Sequence, residues 1–400
     1  MGYVAARGGT EAIAAAEELV CRSRLQAGAS WLELDQLTER LRYLNDRVMG
    51  EGGLWAPLLA ARAIRQAEGD VIEAAHLLRA HRSTLPRLCE LIPADADELR
   101  PLRRIVPAFR EVPGPQLLGR TLDYTGRLLD LGDEDQARAA AAAATAAAAA
   151  RHPGDDPDEY DGATEPPFPE RLLDVLRRTD LAVDRRRGDD PEPTDISQVA
   201  VRPGIGRSAV LSVMARAETG ALVNLWYRNI LGPDNHLHEV TLGEVRHGEL
   251  PIRVSHPRTG NPVLIGHLRA TEVEAIEDLD GADEDRTRFD VGYGLVAGHN
   301  ERKAIAMANL DIALHRDRSD SGLEQAVLMT TDGLDASGFL EHLKLPHYVT
   351  FRSMIERKQA MRTDRARNER KGRRQHTAPA VAPAAPATQP AAVAVGEVTP

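Results

Sequence analysis

The sequence is poor in aromatic residues and in cysteine, and it has no long apolar run. Phe, Trp and Tyr make up 4% of the 400 residues, so a core must come mainly from the aliphatic side chains within the 42% hydrophobic share. Only two cysteines, Cys21 and Cys89, are present, which excludes a disulfide framework and a four-cysteine metal site. No stretch reaches the roughly 18 apolar residues of a membrane span, and no signal-peptide segment opens the chain. We therefore expect a cytoplasmic protein with no membrane partner.

The charge balance is acidic. The chain has 50 Lys and Arg residues and 61 Asp and Glu residues, which gives a net charge of -11. A nucleic-acid surface over the whole chain is therefore excluded, and we expect no nucleic-acid partner. The basic run 352–374 could bind RNA through phosphate contacts, although a solubilising tail is the simpler interpretation.

Apolar residues recur at helical spacing through residues 10–90, and the pattern then becomes mixed. Helices are predicted at 11–25, 34–49, 56–68, 71–82, 139–150 and 209–219. Strands are predicted at 222–228, 249–255 and 262–269. The fold class that follows is α+β, with a helical N-terminal region, then a mixed region with a modest, largely antiparallel sheet, and a disordered C-terminal tail.

Composition divides the chain into four parts. Residues 1–135 are predicted to form a helical N-terminal domain that includes a basic Pro/Gly segment, and residues 136–169 an Ala-rich and acidic linker. Residues 170–355 are predicted to form the α+β domain, and residues 356–400 a disordered tail that is first basic and then rich in Ala and Pro. An acidic run from Glu272 to Asp280 is expected to be a solvated face.

Two segments have a composition that suits phosphate binding. Residues 100–130 are basic within an acidic chain, and their prolines exclude a long helix through the first half. Arginine's planar fork suits phosphate oxygens, so this segment could hold a polyphosphate; the alternative is a solvated loop between domains. Residues 292–308 predict a glycine-rich turn that enters a helix near Asn300, whose N-terminus could bind phosphate. The alternative there is packing, in which the glycines let the helix approach a sheet.

Two histidines towards the C-terminal end could bind a metal. Pro346 lies between His342 and His347, and it disfavours a helix, so His347 could fold back towards His342. Two imidazoles at such a break could hold a metal ion or an anion; the alternative is a pair of ordinary surface histidines. His236 and His238 would share one face of an extended segment and form a second, weaker candidate.

Six blocks of the sequence, taken in order, resemble the PhnI subunit family of the bacterial carbon–phosphorus lyase system. They are GYVAARGGTEAI, DRVMGEGG, EAAHLLRAHRSTL, PGPQLLGRTLDYTGRLLD, GYGLVAGHNERKAIAMA and GFLEHLKLPHYVTF. The resemblance implies phosphonate catabolism, in which the subunit, with PhnG, PhnH and PhnL partners, displaces adenine from MgATP by methylphosphonate. The implied product is a ribose 1-phosphonate 5-triphosphate. Alone, such a subunit would act as a purine nucleosidase.

The resemblance also implies an assembly. PhnI-type subunits associate with PhnG, PhnH and PhnJ in a two-fold symmetric complex, so self-association is expected. Zn²⁺ is implied at His342 and His347, near the contact with PhnJ. The alternative to a transferase subunit is a non-catalytic scaffold within the same complex.

The chemistry implied by the resemblance assigns candidate residues. Cleavage at the anomeric carbon passes through an oxocarbenium-like state, the leaving adenine needs a proton, and the triphosphate with its Mg²⁺ needs cations. Candidates for the acid, or for stabilising positive charge, are Glu51, Asp123 and Glu301. Candidates for binding the triphosphate or the phosphonate are Arg104, Arg110, Arg120, Arg302 and Lys303.

Overall fold

A computed structural model describes residues 9–26, 28, 30–112, 114–123, 127–150, 170–183, 193–231, 241–278, 286–316, 321–344 and 353–376. The chain divides into two units, of which one comprises residues 16–340 and the other residues 1–15 together with 341–400. The four-part division expected from composition stays a prediction. His236, His238 and the low-complexity end of the predicted tail lie outside the described residues.

Within these ranges the chain forms helices and four strands. The helices are α1 (Thr10–Gln26), α2 (Leu34–Arg40), α3 (Arg42–Gly52), α4 (Pro57–Gln66), α5 (Val71–Ser83), α6 (Glu134–Ala149), α7 (Leu172–Arg178), α8 (Arg207–Arg216), α9 (Thr219–Leu231), α10 (Glu301–Arg316), α11 (Ser321–Thr330), α12 (Gly333–Leu343) and α13 (Met354–His376). The strands are β1 (Arg100–Ile105), β2 (Thr241–Ser255), β3 (Pro262–Asp278) and β4 (Phe289–Ala297). None of the helices in the described ranges combines the length and apolar character that a membrane span requires.

The strands form one antiparallel sheet in the order β1-β2-β3-β4. β2 and β3 are a long hairpin, paired from Thr241 opposite Ile276 to Ser255 opposite Pro262. The predicted α+β class with a modest antiparallel sheet is confirmed, although both hairpin strands are longer than the sequence pattern predicted.

One face of the sheet packs against helices α8 to α11. Val245 and Val273 of the hairpin join Met214 of α8, Leu222 of α9 and Met307 of α10 in one buried cluster. Side chains alternate between the two faces of a strand, so the residues next to these valines point to the other side of the sheet. This alternation separates an apolar face from a charged one.

Strand β4 and helix α10 approach closely because two strand residues lack side chains. A Cβ atom at Gly292 would lie 1.9 Å from the Ala308 carbonyl oxygen, and one at Gly294 would lie 2.2 Å from the Ala304 carbonyl oxygen. Both glycines lie within β4, so the packing alternative is correct for them, and of the three glycines only Gly298 lies in the turn that enters α10. The helix itself begins at Glu301, close to its predicted start.

The N-terminal helices α2 to α5 form a second core, whose buried members include Leu37, Val48, Met49, Ile64 and Leu78. The helix predicted over 34–49 is two helices, because the backbone leaves helical geometry at Leu41 (φ -111°, ψ 41°). Gly50 of α3 brings this layer against the sheet, since a Cβ there would lie 3.2 Å from the Ala297 carbonyl oxygen at the end of β4.

The other face of the sheet carries buried charged residues. Glu272 and Glu274 of β3 are 1% and 2% exposed, although the acidic run that they begin was predicted to be a solvated face. That prediction is wrong because arginines neutralise both carboxylates: Arg171, just before α7, lies 2.5 Å from Glu272 and 2.7 Å from Glu274. Arg104 of β1 likewise donates a hydrogen bond to Glu244 of β2 at 2.7 Å.

The segment 222–228, predicted as a strand, lies within helix α9. Its β-branched and aromatic residues favour a strand on a pleated surface, but this preference depends strongly on context. The Glu218 carboxylate accepts hydrogen bonds from the backbone N–H groups of Gly220 at 2.7 Å and Ala221 at 2.6 Å. This cap, together with burial of Leu222, decides the helix. The other predicted helices are present, and the basic first part of the predicted tail forms helix α13.

Candidate active site

A cavity of about 1030 Å³ opens where β1 and the start of α10 meet residues 121–123 and 127–129. Its polar lining includes Arg103, Asp123, His299 and Glu301. Ligand pockets commonly measure roughly 300–1,000 Å³, so this cavity has room for a molecule of the size of a nucleoside triphosphate.

Polar contacts fix the turn that joins β4 to α10. Gly298 has a left-handed backbone (φ 82°), and a Cβ there would lie 2.9 Å from Asp46. The buried Asp46 carboxylate accepts a hydrogen bond from the His299 backbone N–H at 3.0 Å. Asn300 caps α10, because its side-chain oxygen accepts from the Lys303 backbone N–H at 3.3 Å. The positive end of the α10 dipole is therefore at the cavity, which residues 299–302 line.

Arg103 holds two carboxylates at the cavity. Its guanidinium donates to Glu301 at 2.5 Å, to Asp123 at 2.6 Å and to the Leu118 carbonyl at 2.6 Å. Burial alone would raise the pKa of Glu301, but its contacts with His299 and Arg103 outweigh burial and lower that pKa. Glu301 is therefore an anion at neutral pH. It can stabilise a positive charge, but it cannot supply a proton.

Two stacked histidine rings lie beside Glu301. The ring centroids of His299 and His247 are 4.0 Å apart with 23° between the planes, and Tyr43 meets His299 edge-on at 4.9 Å. Nε2 of His299 is 3.8 Å from Glu301 Oε1, an ion-pair distance rather than a hydrogen bond. Burial, and then the neighbouring His299, lowers the pKa of His247 to about 3, so the His247 ring is neutral. Sequence reasoning missed both histidines; the one available signal was that His299 directly precedes Asn300 in a block already selected.

Arginines form the cationic side of the cavity. Arg302, in the first turn of α10, is exposed and lines the cavity. Arg127 also lines it and donates to Asp123 at 2.8 Å. Arg127 belongs to the basic segment selected from the sequence, which gave no reason to prefer it. Arg110 and Arg120 are exposed but are not among the residues that line the cavity.

The structure does not bring the other two predicted phosphate binders to the cavity. Arg104 is 1% exposed in its ion pair with Glu244. Lys303 is also 1% exposed, because it lies on the core side of α10. Burial lowers the pKa of Lys303 to about 8, although Glu51 and Glu218 oppose this shift. In this fold neither side chain is available to a phosphate, and each stabilises neighbouring elements instead.

Of the three predicted carboxylates, Asp123 and Glu301 line the cavity and Glu51 does not. Glu51 is 1% exposed, and its Oε1 atom accepts hydrogen bonds from the Thr219 hydroxyl at 2.6 Å and from Arg47 at 2.8 Å. These contacts join α3 to the start of α9. Glu51 therefore links two helices and does not face a ligand.

The predicted metal pair is only half described. His342 lies near the end of α12 with intermediate exposure, and His347 lies outside the described residues. Among the described residues no group of three or more His, Cys, Asp or Glu side chains could hold a metal ion. The zinc site stays a prediction, and no step of the chemistry is derived through it.

The comparisons with known proteins agree with the resemblance. A family model described as bacterial phosphonate metabolism protein (PhnI) matches residues 2–365. The chain belongs to the PhnI family. This places it in bacterial phosphonate metabolism.

Its relatives cover nearly the whole chain. HtxH of Stutzerimonas stutzeri, a protein named as a C-P lyase subunit, is 42% identical over 89% of this chain and 95% of its own length. The alpha-D-ribose 1-methylphosphonate 5-triphosphate synthase subunits PhnI of Rhizobium meliloti and Escherichia coli are each 35% identical. They cover 90% and 88% of this chain, and 95% and 96% of their own lengths.

Proposed function

We propose that this chain displaces the base of MgATP at the ribose anomeric carbon, with a phosphonate such as methylphosphonate as the nucleophile. The observation that carries the proposal is Glu301, an anion held by Arg103 in a cavity whose opposite charge comes from Arg302 and the α10 N-terminus. Cleavage at that carbon develops positive charge on the sugar, which such a carboxylate stabilises. The product is a ribose 1-phosphonate 5-triphosphate.

The cationic residues account for the other half of the substrate. A triphosphate needs donors and positive charge, and Arg302, Arg127 and the positive end of the α10 dipole provide them at the cavity. Mg²⁺ arrives with ATP as part of the substrate. With water in place of the phosphonate, the same site would act as a purine nucleosidase.

Partner subunits are part of the proposal. The PhnI relatives are named as subunits of a ribose 1-methylphosphonate 5-triphosphate synthase, and HtxH as a carbon–phosphorus lyase subunit. We propose that this chain works with PhnG, PhnH and PhnL-type subunits, within a two-fold assembly that also contains PhnJ, which would process the product.

One observation favours the second candidate, a scaffold whose site is completed by partners. Leu128 and Leu129 line the cavity but are 90% and 82% exposed, and Leu131 next to them is 84% exposed. Apolar side chains so fully exposed beside a cavity are typical of a surface that another protein covers. In this case adenine release would require the partners.

The test is release of adenine from MgATP, followed by chromatography. Wild-type chain and Glu301→Gln are compared, first alone and then with methylphosphonate and the PhnG, PhnH and PhnL-type subunits. We expect Glu301→Gln to lower kcat by about 10²–10³-fold, as for loss of one charge-stabilising group. Glu356→Gln, an exposed residue of α13, is the matched control and should not change the rate. Release by the wild type only with partners supports a shared site, and no release under either condition refutes the transferase proposal.

A further inference from the structure

The proposed reaction needs a proton donor for the leaving base, and the carboxylates of the cavity do not provide one. Adenine leaves as a poor anion unless one of its ring nitrogens is protonated. Glu301 is held in its charged form, and Asp123 accepts hydrogen bonds from both Arg103 at 2.6 Å and Arg127 at 2.8 Å. Guanidinium groups do not release a proton near neutral pH. The Tyr43 hydroxyl donates its proton to the Arg120 carbonyl at 3.0 Å.

We infer that His299 is the catalytic acid, which protonates N7 of the leaving adenine from its Nε2 atom. This inference rests on the proposed function. His299 is the one imidazole among the described residues that line the cavity. Its Nδ1 atom is buried and has no hydrogen-bond partner in the described part of the chain, so Nε2 is the ring nitrogen that a ligand can reach. Imidazole is also the side chain suited to proton transfer at neutral pH.

Contacts hold both the ring and the backbone of His299 in place. His247 stacks on the ring at 4.0 Å, and Tyr43 packs against it edge-on at 4.9 Å. Asp46 accepts a hydrogen bond from the backbone N–H of His299 at 3.0 Å. His247 is itself fixed by Thr271, whose hydroxyl lies 3.1 Å from His247 Nδ1. A side chain held at 8% exposure in one orientation presents Nε2 to the cavity without first having to be ordered.

Glu301 also lies close to the proposed acid. Its Oε1 atom lies 3.8 Å from Nε2 of His299, so a proton on Nε2 lies beside a carboxylate and at the cavity at once. The gap is wider than a hydrogen bond, so Glu301 does not bind the proton on Nε2, which can be donated to a ligand in the plane of the ring. One carboxylate therefore lies beside Nε2 of His299 before the reaction and can face the positive sugar during it.

In the proposed step the bond from C1′ to N9 breaks, and its electron pair goes to the base. The proton on Nε2 moves to N7, so adenine leaves as a neutral molecule and His299 becomes neutral. A phosphonate oxygen forms the new bond to C1′ with its own electron pair. The proton that the phosphonate monoanion carried, or that the attacking water releases in hydrolysis, returns through solvent to His299.

Substrates that differ at N7 test the inference in the whole chain, with partner subunits where the wild type requires them. His299→Asn should lower adenine release from MgATP by about 10²–10⁴-fold, the usual contribution of a general acid. The triphosphate of 7-methylguanosine already carries positive charge on its base, so its cleavage needs no acid. We expect His299→Asn to cleave that substrate within about tenfold of the wild-type rate, whereas Glu301→Gln should stay slow on both substrates. His267→Asn, at an exposed position of β3, is the matched control.

A second measurement uses the wild type alone, in case His299→Asn does not fold. In 7-deaza-ATP a carbon replaces N7, so no proton can be accepted there. We expect it to inhibit adenine release competitively while its own base is not released. Release of 7-deazaadenine at a rate near that of adenine would overturn the inference, as would equal losses on ATP and on the methylated substrate in His299→Asn. Failure of the wild type to release adenine at all would instead refute the proposed function.

Discussion

Replacing Gly292 by Ala should destabilise the protein strongly, because the new methyl group has no space. Its carbon would lie 1.9 Å from the Ala308 carbonyl oxygen and 2.6 Å from an Ile312 side-chain carbon. Ordinary contact begins near 3.4 Å, so β4 and α10 would have to separate by about 1.5 Å. Overpacking typically costs about 1–3 kcal/mol, and a clash with backbone, which cannot rotate away, belongs at the upper end.

Urea denaturation measures this effect directly. The free energy of unfolding falls by about 1–3 kcal/mol per molar urea, so a loss of about 3 kcal/mol in that free energy should lower the urea midpoint by about 1 M or more. Gly206→Ala is the matched control, because a Cβ there meets nothing within 4 Å and the backbone φ of -58° suits alanine. A Gly292→Ala protein that unfolds at the wild-type midpoint but binds MgATP more weakly would refute the packing argument and restore the phosphate-loop interpretation.

Two further predictions concern charged residues. Arg302→Ala should raise the KM for MgATP about tenfold and leave the free energy of unfolding unchanged. Lys303→Met should lower the free energy of unfolding by about 3 kcal/mol, because it breaks a buried charge network, and leave the KM unchanged. Kinetics and urea denaturation of both variants would show the reverse if Lys303 contacted the phosphate. Burial raises the pKa of Glu274 from 4.5 to about 7, so the folded protein binds that proton more tightly than the unfolded chain. This stabilisation is complete below pH 4.5 and is lost as pH rises through 7, by up to about 3 kcal/mol. Glu274→Gln should abolish that part of the pH dependence of the free energy of unfolding. Parallel plots of unfolding free energy against pH for the two proteins would contradict this prediction.

Local patterns predicted several of the elements but not which faces they bury. The spacing of apolar residues located α4, α5 and α8 well, because an amphipathic helix carries its own signal. Glu272 and Glu274 were predicted to be solvated because carboxylates are almost never buried without a partner. Their partner, Arg171, lies about 100 residues away in the sequence. No local pattern contains that pairing.

The candidate site was predicted in part for the same reason. Arg302 was found from the helix start near Asn300, and Glu301 from the block that resembles the family. Lys303, in the same turn, faces the core, and helical geometry alone does not say which side of α10 meets the sheet. His247 joins the site only through the sheet register, which places it opposite Thr271 on β3.

The ion pairs on the charged face of the sheet have a consequence for how the length of this chain can vary. Arg104 donates to the Glu170 carbonyl at 3.3 Å as well as to Glu244, and Arg171 forms an ion pair with β3, so the residues at both ends of the segment 105–169 are bound to the same sheet. The end-to-end distance of that segment is thus set by these arginines and not by the number of residues between them. Doubling its length would add only about 0.6 kcal/mol of closure entropy. An insertion after α6 should therefore be tolerated without a shift of the sheet or of the cavity beside it.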